Sequence, residues 1–180
     1  MPDETLRAFA GEQYTILHSD RRSFAHLAAR FPEAPAGDLF LSLAGGEGTA
    51  LEHLLTFARS LGLDEAALRE HEPRPETQAY PAFVAWLALN GSRADVALAF
   101  LANLAAWGAN CARLADVLRD RFDVAFLEFF AQPPPTFEED ALAVIAQGLD
   151  AGEPPERAIR AAKRLQAYEL LYWDTFAQLA

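Results

Sequence analysis

The sequence predicts an all-α protein, and three observations support this prediction. Alanine and leucine dominate the composition, and both residues favour helix. β-Branched residues are few, and no segment sustains the alternation of apolar and polar residues that a strand needs. Breaks rich in proline or glycine recur along the chain at helix-like intervals. With 180 residues, 52% of them hydrophobic, we expect one domain over residues 1–180 with a sizeable core.

The breaks define the predicted elements in order. They are "FPEAPAGD", "HEPRPETQ", "NGSRAD", "AQPPPTFEED" and "DAGEPPER", and each has, toward its end, an acid, Ser, Thr or Pro that suits the first turn of a helix. The intervening loops are short, so neighbouring helices should pack antiparallel in a bundle of about seven to eight helices. The predicted helical segments are residues 3–17, 19–31, 37–61, 75–90, 92–122, 123–131, 136–150 and 154–179.

The charge balance excludes several classes of partner. The formal net charge is −11, and Lys163 is the single lysine. An acidic surface repels phosphate backbones and anionic lipid headgroups, so we expect neither nucleic-acid nor membrane binding. Cys111 is the single cysteine, which indicates a reducing compartment. The acidic "MPDETLRAFA" does not resemble a signal peptide, and the longest apolar candidate, residues 96–112, is interrupted by polar residues. We therefore expect a cytoplasmic location.

The stretch "YELLYWD" near the C-terminus carries the most prominent candidate site. On a helix, Glu169 projects from the middle of an aromatic and aliphatic face that should point to the core. Burial there would raise the pKa of the carboxyl group and make it a candidate acid, base or ligand partner. The simpler interpretation is that Glu169 only bonds a tyrosine hydroxyl or an arginine. The residues that share this face are Leu165, Glu169, Tyr172, Trp173 and Phe176.

Other candidate groups have weaker support. Cys111 lacks a nearby base in the sequence, so a buried apolar role suits it better than a nucleophilic one. Glu52 and His53 are adjacent and point about 100° apart on a helix, so they do not form the Glu-x-x-His pair of helical metal sites. We expect no metal and no cofactor. Tyr80 follows a proline-rich loop, where it could face a pocket, and Trp107 is a further pocket candidate beside its simpler role in core packing.

Several motifs taken in order resemble the TenA (thiaminase II) family, which has the haem-oxygenase-like fold shared with PqqC-like oxidases. They are "FARSLGL", "PETQAYPAFVAWL", "LANLAAWGANCARL", "FDVAFLEFFA" and "YELLYWD", the last being similar to the family's "YE..FWD" signature. The order and spacing agree from about residue 6 onward, without the family's usual first helix. The resemblance implies a helical bundle with a central pocket, assembled as a dimer or tetramer. It also implies chemistry on thiamin or its aminopyrimidine breakdown products.

The resemblance assigns roles to some positions and predicts a divergent site at others. The family's last-helix glutamate falls on Glu169, and the aromatic ring contact falls on Tyr80. The family's cysteine nucleophile, two residues before the helix tryptophan, falls on Ala105, and Cys111 lies about 240° around the helix from it. Family tyrosines fall on Ala109, Ile16 and Phe130, and the early-helix aspartate falls on Gln13. The predicted ligand contacts around the catalytic candidate Glu169 are Gln13, Tyr80, Trp107, Phe130 and Tyr172.

Three functions follow from this pattern. The first is a pocket protein that binds or hydrolyses an aminopyrimidine or related small heterocycle, with water activated by Glu169 in place of a thiol. The second is a non-catalytic relative that binds a small ligand or simply forms a homodimer. The third is a PqqC-like oxidase, which the missing last-helix histidines disfavour.

Overall fold

Eight helices and no strand occur in the part of the chain that the computed structural model describes, residues 2–179. The all-α prediction is therefore confirmed. Connections between the helices are short, as the positions of the prolines and glycines indicated. The helices are α1 (Asp3–Arg30), α2 (Ala36–Ser60), α3 (Glu65–Glu70), α4 (Pro75–Asn90), α5 (Arg93–Leu118), α6 (Ala125–Ala131), α7 (Phe137–Asp150) and α8 (Pro155–Gln178).

Two elements differ from the prediction. The segments predicted at residues 3–17 and 19–31 form one continuous helix, α1, because no proline or glycine interrupts the chain there. Ser19, where the second helix was predicted to begin, lies inside α1, and its carbonyl accepts a hydrogen bond from the Ser23 hydroxyl. The short helix α3 was missed within a predicted loop, although the Asp64 carboxylate caps it by accepting a hydrogen bond from the Ala67 amide at 2.8 Å.

The bundle is organised around α5. This helix packs against α6, α7 and α8, while α1 packs against α2 and α4. Contacts between α4 and α8 and between α2 and α6 join the two groups. Helix α5 begins with a capping box, because the side chains of Ser92 and Asp95 each accept a hydrogen bond from the backbone amide of the other residue. The candidate site lies in the space between α1, α2, α4, α5, α6 and α8.

An aromatic cluster fixes the C-terminal helix against the first helix. Phe9 of α1 is fully buried, and its ring lies 5.6 to 6.3 Å from each neighbouring ring. Most of these contacts are edge-to-face, the geometry that aromatic quadrupoles favour. The cluster holds the inward face of α8 in register with α1. The rings around Phe9 belong to Phe57, Phe126, Tyr172, Trp173 and Phe176.

One helix in the described residues, α5, is long and apolar enough to cross a membrane by length and composition alone. More than half of its most apolar window is buried within the fold. That burial is what the core helix of a soluble protein shows, because the apolar residues are covered by neighbouring helices rather than by lipid.

Candidate functional site

A small cavity, here called the inner chamber, lies between α1, α2, α4, α5, α6 and α8. Its volume of about 40 Å³ is enough for about three water molecules. Its walls are mainly apolar and aromatic, with a few polar groups directed inward. The residues that line it are Gln13, Ile16, Leu17, Asp20, Phe24, Leu43, Glu47, Tyr80, Phe100, Asn103, Leu104, Trp107, Phe130 and Tyr172.

A larger cavity of about 330 Å³, here called the vestibule, lies beside the inner chamber. It is formed by α2, the α6–α7 loop with its three consecutive prolines, and the start of α7. Leu43, Glu47, Leu104 and Phe130 line both cavities, so they form the boundary between them. Phe130 is half-buried at this boundary.

The structure brings five of the predicted site residues together at the inner chamber. Gln13, Tyr80, Trp107, Phe130 and Tyr172 all line it, although they come from five different helices. Gln13 donates a 2.6 Å hydrogen bond from Nε2 to the Tyr172 hydroxyl oxygen. Because that oxygen accepts from Gln13, the Tyr172 hydroxyl proton remains available for a ligand. Their role as ligand contacts stays a prediction.

Glu169 lies behind the wall of the inner chamber, not on it. It is buried and accepts hydrogen bonds from Asn103 Nδ2 at 2.7 Å, Trp173 Nε1 at 3.2 Å and Gln166 Nε2 at 3.3 Å. Burial raises the pKa of Glu169, and these donors partly oppose the rise by favouring its charged form. The Glu169 carboxylate is therefore surrounded by hydrogen-bond donors, and the assignment of Glu169 as a catalytic group stays a prediction.

Asn103 links Glu169 to the chamber, and the sequence did not identify it as a site residue. Since its Nδ2 donates to Glu169, its Oδ1 is free to accept, and it accepts from the Tyr80 hydroxyl at 2.9 Å. This chain fixes the direction of the Tyr80 proton, so the Tyr80 oxygen presents only lone pairs to the chamber. The signal for Asn103 was a polar residue within the mostly apolar α5, four residues before Trp107.

Two carboxyl groups in the inner chamber were also missed. Asp20 of α1 is only 2% exposed, and its Oδ1 has no hydrogen-bond partner among the described residues. Glu47 of α2 is half-buried. Burial raises the pKa of both carboxyl groups well above the usual range, and the nearby charge of Asp20 raises that of Glu47 further. Asp20 was detectable as an acid in the apolar stripe of α1, which also carries Ile16, Leu17 and Phe24.

A buried glutamate positions the helix that carries Tyr80. Glu12 of α1 is fully buried, and its carboxylate accepts from the Arg74 amide at 2.9 Å and from the Thr77 hydroxyl at 2.6 Å. His71 Nε2 lies 3.1 Å from the same carboxylate. Glu12 thereby accepts hydrogen bonds at the N-terminus of α4, where the acceptor is usually the side chain of the helix's own N-cap residue. Tyr80 enters the chamber one turn later.

The sequence model of the TENA/THI-4/PQQC family matches residues 1–178. This chain belongs to the TENA/THI-4/PQQC family. The match covers nearly the whole chain and agrees with the resemblance noted in the sequence. No curated protein matches the sequence. The family assignment therefore rests on the family model and the helical fold together.

Membership of the TENA/THI-4/PQQC family makes the position of the expected nucleophile important. Ala105, where spacing from Trp107 places the family's cysteine, is exposed on the outer face of α5, and so is Ala109. A thiol at Ala105 would not face the chamber. The inward positions of α5 are Phe100, Asn103, Leu104 and Trp107. In this chain Asn103, and not Ala105, faces the chamber at this level of α5, and the correspondence of Ala105 with the family's cysteine stays a prediction.

The remaining thiol of this TENA/THI-4/PQQC protein lies outside the chamber. Cys111 is fully buried in the core, and it does not line either cavity. Burial and the nearby charge of Glu169 raise the pKa of this thiol, so it stays protonated and poorly nucleophilic. Within residues 2–179, no group of three or more His, Cys, Asp or Glu side chains is arranged to hold a metal ion.

Proposed function

We propose that this protein binds an aminopyrimidine or a related small heterocycle in the inner chamber. The observation that carries the proposal is the set of five predicted contact residues, from five helices, around one cavity. Trp107 and Phe130 offer aromatic faces for a flat ring, and small-molecule sites typically combine such walls with a few placed polar groups. Family membership supports a pocket at this place in the fold.

The polar groups of the chamber suit both edges of an aminopyrimidine. The Tyr80 oxygen and the carboxyl groups of Asp20 and Glu47 can accept hydrogen bonds from an exocyclic amino group. The Tyr172 hydroxyl can donate its proton to a ring nitrogen, because its oxygen already accepts from Gln13. A ring bound in the inner chamber would extend toward the vestibule, which shares the boundary residue Phe130 with the chamber.

Hydrolysis is the second candidate function, and the pair of Asp20 and Glu47 favours it. Burial raises the pKa of both carboxyl groups, and the charge of Asp20 raises that of Glu47 further, so the pair can hold a proton on one group while the other acts as a base. The chamber has room for water beside them. In this mechanism Glu169 positions Tyr80 through Asn103, and water replaces the absent thiol as nucleophile.

The two candidates separate in one set of measurements. Thermal unfolding with a panel of 4-aminopyrimidines and thiamin detects binding, since a ligand at about a hundred times its dissociation constant adds about 2.7 kcal/mol to stability. Chromatography of the same mixtures at high protein concentration detects turnover. Stabilisation without product supports binding alone, and product formation supports hydrolysis. No stabilisation by any member of the panel contradicts the proposed function.

The homodimer and the cytoplasmic location are further proposals, since both come from the resemblance and the composition. Light scattering coupled to size-exclusion chromatography tests the assembly directly. A mass of twice 19.7 kDa supports the dimer, and a mass of one chain at all concentrations contradicts it.

A further inference from the structure

The inner chamber contains a buried carboxyl oxygen with no partner. Asp20 is 2% exposed, it lines the chamber, and its Oδ1 accepts no hydrogen bond from any described residue. An unpaired buried acceptor is costly, and a carboxylate more so than a neutral group. Native proteins rarely keep such a group unless it serves a ligand or a reaction. Asp20 therefore indicates a ligand that donates a hydrogen bond at this point.

The electrostatic surroundings define the charge of that ligand. Glu47 adds a second carboxyl group at the boundary between the chamber and the vestibule, and the Tyr80 oxygen adds a further acceptor. Among the described residues, no Arg, Lys or His side chain lines either cavity. Acceptors and acids without a basic partner favour a cationic group with several N–H donors, such as an ammonium or an amidinium.

The vestibule defines the other end of the ligand. Its walls are predominantly apolar, and its volume of about 330 Å³ lies within the range of ordinary small-molecule sites. Glu47 and Phe130 stand where it meets the chamber, so a molecule with its cationic head at Asp20 would extend its remaining atoms past them. The apolar residues lining the vestibule are Leu39, Leu43, Leu104, Phe129, Phe130, Pro133, Pro134, Pro135 and Phe137.

We propose that the natural ligand is an organic cation with an apolar tail, its N–H donors bound by Asp20 and Glu47 and its tail in the vestibule. This inference rests on the proposed function in taking the inner chamber as a ligand-binding site, and it specifies the ligand's chemical class. The 4-aminopyrimidines of the panel lack such a tail, so the two proposals make different predictions for them. Charge-assisted hydrogen bonds at Asp20 give the head its specificity, and apolar burial in the vestibule adds affinity.

Calorimetric titration of the wild-type protein with three probes of matched length tests this proposal. The probes are n-hexylammonium, hexan-1-ol and hexanoate, which differ only in the charge and donors of the head. We expect hexylammonium to bind at least about tenfold more tightly than hexanol, since a hydrogen bond to a charged group is worth about 1.5–3 kcal/mol. Hexanoate should not bind, because two carboxyl groups face its head.

Variants locate the site of binding. Asp20→Asn should weaken hexylammonium binding at least about tenfold and leave hexanol binding unchanged, and Glu47→Gln should weaken the cation in the same direction. Glu52→Gln is the matched control, because Glu52 is exposed on the same helix as Glu47 and lines neither cavity. Since asparagine has nearly the same size and shape as aspartate, the Asp20→Asn variant should fold, and thermal unfolding checks this.

Each outcome decides the proposal. The proposal is overturned if hexylammonium does not bind, or if it binds no more tightly than hexanol. It is also overturned if Asp20→Asn binds hexylammonium as tightly as the wild-type protein does. If hexylammonium fails while an aminopyrimidine binds, the inferred ligand class is wrong and the proposed function stands. If neither binds, both fail.

Discussion

Glu169 lies in the middle of an aromatic helix face because donors surround it there. Asn103, Trp173 and Gln166 all donate to its carboxylate, so its charge is compensated although the residue is buried. The bond from Asn103 then sets the direction of the Tyr80 hydroxyl. At the scale of the residue, Glu169 acts through Asn103 to direct the Tyr80 proton away from the chamber, so the Tyr80 oxygen can only accept there.

Replacing Glu169 with Gln tests that role. The new amide places an N–H₂ group against Asn103 or Trp173, which are both donors, so Asn103 should turn and Tyr80 should lose its acceptor. We expect at least about tenfold weaker binding of an aminopyrimidine with the helical content unchanged. Titration calorimetry and far-UV circular dichroism measure the two effects. A loss of stability with unchanged affinity would show that Glu169 is only structural.

Asp20 gives a prediction about pH. Burial raises the pKa of Asp20 and Glu47, so at neutral pH the folded protein binds protons that the unfolded chain has released. Stability therefore falls as the pH rises from the ordinary carboxyl range toward neutrality. Asp20→Asn should stabilise the protein by about 0.5–2 kcal/mol at neutral pH, and the gain should shrink near pH ~4.

Urea unfolding at the two pH values measures this effect. Asp174→Asn, at an exposed position on α8, is the control and should change stability little at either pH. A stabilisation of equal size at both pH values contradicts the linkage, and so does a loss of stability at neutral pH.

At the scale of the element, α4 is held at its start by a residue from another helix. The Glu12 carboxylate accepts from the Arg74 amide and the Thr77 hydroxyl. Glu12→Ala should cost about 3 kcal/mol in stability, since it leaves buried donors unpaired. Chemical denaturation measures this loss, with Glu4→Gln at an exposed position of α1 as the control. A change below about 0.5 kcal/mol contradicts the role of Glu12 in positioning α4.

The approach of α6 to α5 depends on Gly108. A Cβ atom at Gly108 would lie 2.8 Å from the Phe130 carbonyl oxygen, a backbone atom that cannot move independently of α6. Gly108→Ala should therefore displace α6, destabilise the protein by about 1–3 kcal/mol and alter ligand affinity through Phe130. Denaturant unfolding and calorimetric titration measure the two effects.

Gly45→Ala is the matched control, because a Cβ there meets nothing within 4 Å on α2. This substitution should stabilise the protein by about 0.5–1 kcal/mol, as expected for alanine in a helix interior. Equal effects of the two substitutions would contradict the close approach at Gly108.

The sequence predicted most of the long helices, but it did not predict that α1 is continuous or that α3 exists. Prolines and glycines located the ends of α4 within the chain because they act locally. The continuity of α1 depends on tertiary contacts, and the short α3 depends on its capping side chain, Asp64. The helix propensity of single residues shows neither. The same limit applies to the site. The five chamber residues followed from the family motifs. Asp20 and Asn103 had a weaker signal, a polar residue among apolar ones on a helix, and Glu47 needed the packing of α2 against α1.

At the scale of the whole molecule, the central helix α5 and its neighbours enclose a two-part cavity in a fold of the TENA/THI-4/PQQC family. The chamber carries acids, hydroxyls and aromatic faces, and its residues come from six of the eight helices. Such a site can exist only when the whole bundle is assembled. Ligand binding should therefore be coupled to global stability, so that ligand raises the unfolding midpoint as a function of its concentration.

The central claim is that the Tyr80 hydroxyl, oriented through Asn103 by Glu169, contacts a ligand in the inner chamber. The most direct test is the aminopyrimidine affinity of Tyr80→Phe, measured by calorimetry beside Tyr168→Phe. Tyr168 is half-buried on α8 and lines neither cavity. We predict that Tyr80→Phe weakens binding about tenfold or more while Tyr168→Phe leaves it unchanged. Equal affinities for the wild-type protein and Tyr80→Phe would contradict the account.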